Sequence, residues 1–179
     1  MPAVLFEAAW GWLALAAAVV LAALLVWDLT NGSRRPGADQ FLATQLVASH
    51  VRSLMLSHLT VVASSDQHTV KPWFDGKLDF APAVVDLASE GFPLVGGRLD
   101  HLESRPVAAL VYQRRKHFIN LFVWPVETAA AESGKTMTRQ GYQLLHWVDS
   151  GANYWAVSDV NGSELEAFKQ LFQKQTAPR

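Results

Sequence analysis

Six histidines, at positions 50, 58, 68, 101, 117 and 146, and four aspartates between residues 66 and 86 carry most of the reactive chemistry in this chain. His50 and His58 stand eight residues apart, and Asp66 and His68 lie two apart in the stretch Ser65–Phe80, SDQHTVKPWFDGKLDF. Imidazole nitrogens and carboxylate oxygens of this kind bind zinc or iron, so His50, His58, Asp66 and His68 form the candidate ligand set of a metal-dependent hydrolase. The spacing argues against it, because no two histidines are four apart and no H-E-x-x-H occurs. Asp66, Asp75, Asp79 and Asp86 could pair for glycoside hydrolysis, but Asp75-Gly76 and the neighbourhood of Pro82 are turn chemistry. Ser49, Ser53, Ser57, Ser64 and Ser65 include no G-x-S-x-G elbow. Ala129–Thr136, AAAESGKT, fits a relaxed phosphate-loop pattern. A phosphate loop must open a helix, and MTRQGYQ has no helical period, so the stretch reads as a small-residue loop. These patterns give no catalytic residue, metal or cofactor, and a protein that is not an enzyme and has no small-molecule substrate is the expectation.

The remaining reading of Ser65–Phe80 is recognition or structure. Trp73, Phe74 and Phe80 are expected to anchor the stretch in a core, with Lys71-Pro72 holding the backbone extended before them. Asp66, His68 and Lys71 are expected to fix it by hydrogen bonds or to face a partner.

The chain has 179 residues, 15 basic against 16 acidic side chains and no cysteine. That balance supplies no field for nucleic acid, and the absence of cysteine removes disulfides, thiol nucleophiles and Cys-ligated zinc. Much of the apolar content lies in Ala8–Trp27, 20 residues without a charge. As a helix that block would span ~30 Å, the thickness of a bilayer's hydrocarbon core, with Trp10, Trp12 and Trp27 at its two ends. Residues 1–7 then form a short tail, 8–27 a transmembrane helix with the lipid bilayer as partner, 28–38 a linker, and 39–179 one domain. The small residues along the span, Ala14, Ala16–Ala18, Ala22 and Ala23, would also suit an accessory subunit that pairs through its helix.

Within the domain, Leu42, Leu46, Val47, Val51, Leu54 and Met55 have helical spacing over 39–56. FPLVGGRLDHL, VAALVYQRR and HFINLFVWP read as strands, with Gly96-Gly97 marking a bulge or a close approach. GYQLLHWVDS and NYWAVSDV form a hairpin around Gly151. Ser163 is expected to cap a last helix, with Glu166 in capping-box spacing. The expected fold class is α+β: an N-terminal transmembrane helix, then an antiparallel sheet of four or five strands with flanking helices.

The phrases HTVKPWF, GKLDF, GFPLVGGRLD, ALVY, INLFVWP and YWAVSD stand in one order along residues 48–172. In that order they resemble the outer domain of bacterial membrane-anchored anti-sigma factors. The resemblance implies a transcriptional regulator of the inner membrane, with a single pass and a periplasmic sensory domain. Family members hold a sigma factor through a cytoplasmic domain with a His-x3-Cys-x2-Cys zinc motif. This cysteine-free chain has no such motif, so a sigma factor is an expected partner only through a further cytoplasmic domain. Arg34 and Arg35 after the apolar block favour the opposite orientation by the positive-inside rule. The orientation adopted is the one the resemblance implies.

Overall fold

The computed structural model describes residues 17–26, 36–55, 59–126 and 134–177. The chain divides into two units, Met1–Gln40 and Phe41–Arg179. In the first, residues 17–26 form helix α1, wholly apolar and exposed. Among the described residues no helix is long and apolar enough to cross a membrane. That finding overturns the expected span over 8–27, together with the single-pass inner-membrane placement built on it. Residues 8–16 and 27 of that span lie outside the described residues.

Helix α2, Pro36–Leu54, crosses the boundary between the units. The second unit continues with strand β1 (Val62–Ala63), helix α3 (Gln67–Trp73) and a 3-10 turn at Ala88–Glu90. Strands β2 (Leu94–Leu102), β3 (Arg105–Arg114), β4 (His117–Pro125), β5 (Lys135–Arg139), β6 (Tyr142–Asp149) and β7 (Ala152–Ser158) follow, then helix α4 (Gly162–Thr176). The strands form one antiparallel sheet in the order β1-β2-β3-β4-β7-β6-β5.

Seven strands replace the expected four or five. The two that the sequence hides are the edges. β1 is two residues long, below the length at which alternation is legible. β5 is KTMTR, from the stretch read as a loop. Its Lys135 and Thr136 pair with His146 and Leu145 in the sheet, so they do not open a helix as a phosphate loop requires. Residues 127–133 lie outside the described residues.

The central strands β3 and β4 are apolar on both faces, the pattern of strands covered on both sides. On one face Leu110, Tyr112, Leu121, Leu145, Trp147 and Tyr154 pack against α3, α4 and the segment around Val84–Phe92. On the other, Val107, Ala109, Phe122, Trp124, Leu144, Trp155 and Val157 lie with Ala43, Leu46 and Val47 of α2. α4 buries Leu165, Phe168 and Phe172 at i, i+3 and i+7. Phe168 meets Tyr112 edge-on with ring centroids 4.9 Å apart. The N-cap of α4 is Asn161, not Ser163. Its side chain accepts from the Glu164 N–H at 2.8 Å, and its amide donates back to the Glu164 carboxylate at 3.1 Å. The reciprocal pair thus begins two residues earlier than the serine suggested.

Candidate functional site

Polar chemistry in the second unit concentrates where α2 lies on the sheet. Gln45, Ser49 and Ser53 recur every fourth residue, so they form one row along the helix. Each is tied to the sheet. The Gln45 side-chain oxygen accepts from the Glu103 N–H in the β2–β3 turn, at 2.9 Å. The Ser49 hydroxyl donates to the Asp100 carboxylate and lies 3.4 Å from a guanidinium nitrogen of Arg98. The Asn120 amide of β4 donates to Ser53 Oγ at 2.9 Å, and that hydroxyl donates to the His50 carbonyl at 2.7 Å.

Arg98 sits at the centre, 6% exposed. It pairs with Asp100 at 3.2 Å, donates to the Leu59 carbonyl at 3.0 Å and lies 5.7 Å from the Phe122 ring centre. Burial pulls its pKa down, and Asp100 opposes that shift. His50 is wholly buried beside this group. Its ring meets Tyr142 edge-on at 5.1 Å, and neither ring nitrogen has a hydrogen-bond partner. Burial pushes the imidazole from 6.5 down to about 4; Asp159 acts weakly upward and Arg98 downward.

Ser49 is bonded to a carboxylate and Ser53 to a backbone carbonyl, so neither hydroxyl is bonded to an imidazole base. Of the expected ligand set, His50 is on the buried face of α2, Asp66 and His68 are exposed at the N-cap and first turn of α3, and His58 lies outside the described residues. Among the described residues no three His, Cys, Asp or Glu side chains are placed to hold a metal. His117 forms an exposed pair with Asp159 at 2.8 Å. His146 stacks on Trp155 and contacts Asn153 at 3.2 Å, a cross-strand setting.

Ser65–Phe80 is a helix and turn, not an extended wrap. Asp66 is the N-cap of α3 and accepts from the His68 N–H at 2.8 Å, and Pro72 is accommodated inside the last turn. Val70 and Phe74 are buried, while Trp73 and Phe80 are half-buried against the core. A Cβ on Gly97 would stand 3.0 Å from the Phe74 ring and 3.2 Å from Val70, so this glycine lets α3 approach β2. His68 and Lys71 point to solvent. Asp66→Ala is expected to lower stability by about 1 kcal/mol through the lost cap. His68→Ala and Lys71→Ala are expected to stay within about 0.5 kcal/mol. Urea midpoints of the three variants check this, and a loss at Lys71 equal to that at Asp66 would contradict it.

A shallow cleft of about 320 Å³ runs beside α2, lined by Phe41, Gln45, Arg52, His101 and Glu103 among others. Sequence reasoning missed the seam under α2 because Arg98, Asp100 and Asn120 each look like an ordinary polar strand residue. The one legible sign was the four-residue recurrence of Gln45, Ser49 and Ser53 on a helix otherwise read for its apolar positions. Comparison of the chain with family models, with curated proteins and with solved structures finds no match.

Proposed function

We propose that this protein is a transcriptional regulator of the anti-sigma type, and that residues 41–179 form its sensory or regulatory domain. One observation carries the reading: the phrases behind the resemblance coincide with the elements that build this domain. HTVKPWF is α3 and the buried Phe74 that follows it; GFPLVGGRLD runs into β2 with Gly97, which admits α3. ALVY and INLFVWP are the β3–β4 centre of the sheet, and YWAVS is β7. The resemblance therefore concerns a whole fold and not a scattered surface motif. The polar groups of the domain are used in seating a helix, which suits a binding or relay role better than catalysis. With no cysteine, the chain has no His-x3-Cys-x2-Cys site of its own, so its proposed role is to sense and relay, with sigma binding left to another domain.

The test is transcript profiling of the native host with the gene removed and then restored. The expected result is a coherent shift of a limited set of promoters sharing one alternative recognition element, reversed by the wild-type gene. An unchanged profile would overturn the regulatory reading.

A further inference from the structure

We propose that α2 is a releasable strap, the first element of this domain to leave the sheet, and that its release uncovers a sheet face able to relay a signal; the relay rests on the regulatory reading above, the release does not. The argument starts from how differently the two faces of the sheet are covered. α4 is seated by Leu165, Phe168 and Phe172 against a continuous aromatic layer of Phe92, Tyr112, Trp147 and Tyr154. α2 contributes Ala43, Leu46 and Val47, with Leu42 and Val51 partly buried beside them, but its second half also turns Ser49, His50 and Ser53 to the sheet.

Of the five buried polar side-chain atoms without a hydrogen-bond partner among the described residues, three belong to this seam: both ring nitrogens of His50 and Asn120 Oδ1. The α4 face has one, Trp147 Nε1. A buried polar atom left unpaired weighs against the folded arrangement, and departure of α2 returns these three to water. The hydrogen bonds of Gln45, Ser49 and Ser53 are exchanged for bonds to water, which returns part of their energy. Directional bonds thus fix where α2 sits, while the unpaired atoms beside them offset part of what those bonds contribute. Its departure would uncover Ala109, Phe122, Trp155 and Val157, a ready apolar surface.

Hydrogen–deuterium exchange of the full chain at pH 7 tests the strap. Backbone amides of residues 43–53 are expected to be at least about tenfold less protected than those of residues 165–175, since the elements of a domain open with different free energies. His50→Leu is expected to raise protection over 43–53 about tenfold by removing two of the unpaired atoms, leaving 165–175 unchanged. Equal protection of α2 and α4 in the wild type would overturn the proposal, and this comparison decides even if His50→Leu fails to fold. A variant that changes both helices alike would also overturn it. Exchange reads the release alone and transcript profiling reads the regulatory role alone, so each can fail without the other.

Discussion

Asp100→Ala is expected to lower the stability of the domain by about 3 kcal/mol, because it leaves the Arg98 guanidinium buried without its carboxylate. The side chains of both partners are mostly buried, at 7% and 15% exposure, so solvent screening is small. The loss also frees the Ser49 hydroxyl, which donates to the same carboxylate. Arg98 keeps its bond to the Leu59 carbonyl, which holds the expected loss at the low end of the range for a broken buried pair. The comparison that isolates the pair is a double variant, R98M with D100A. Removing both charges together is expected to cost less than D100A alone, since no orphaned ion remains. Urea unfolding of the wild type, the single variants and the double variant measures this cycle. Losses that simply add would mean that the two groups do not interact.

His50 carries the second large effect. Its imidazole is held at about 4 in the folded state, against 6.5 when exposed. The folded domain therefore resists protonation while the unfolded chain accepts it. Above pH 6.5 both states hold a neutral ring and the group contributes nothing to pH dependence. As pH falls from 6.5 to about 4 the unfolded state gains the proton first, and stability drops by about 3 kcal/mol in total. Carboxylates titrate near the lower end of that window, so the useful quantity is the difference between wild type and His50→Leu. The variant is expected to lose the part of the slope between pH 6.5 and 4 and to be more stable than wild type at pH 5. Parallel stability–pH curves would show that the ring already reaches water in the folded protein.

The parts of this fold that were legible in the sequence are those with long, regular apolar patterns. HFINLFVWP is the buried strand β4, and the turn at Ser150-Gly151 joins β6 to β7 with both residues at positive φ, as tight hairpins require. Length alone defeated the reading at β1, and a polar sequence with Met137 as its one apolar residue defeated it at β5. In α3, Pro72 suggested extended backbone, but tertiary packing of Val70 and Phe74 on Gly97 overrides that local preference. The apolar block near the N-terminus set up a span that no helix among the described residues provides.

The candidate seam was least legible of all, and the reason is physical. Arg98, Asp100 and Asn120 alternate with apolar residues, as strand residues facing solvent would. They face a helix instead, and only the three-dimensional arrangement brings Ser49, His50 and Ser53 over them.

The measurement that bears most directly on the regulatory strap is complementation of a strain lacking the gene, with the wild-type chain and with His50→Leu, at matched protein abundance. If α2 release is the signalling step, the variant seats the helix more firmly and holds the responsive promoters at a level clearly different from wild type. Identical promoter activity from the two chains, with the exchange difference between them intact, would contradict the claim that release of α2 carries the signal.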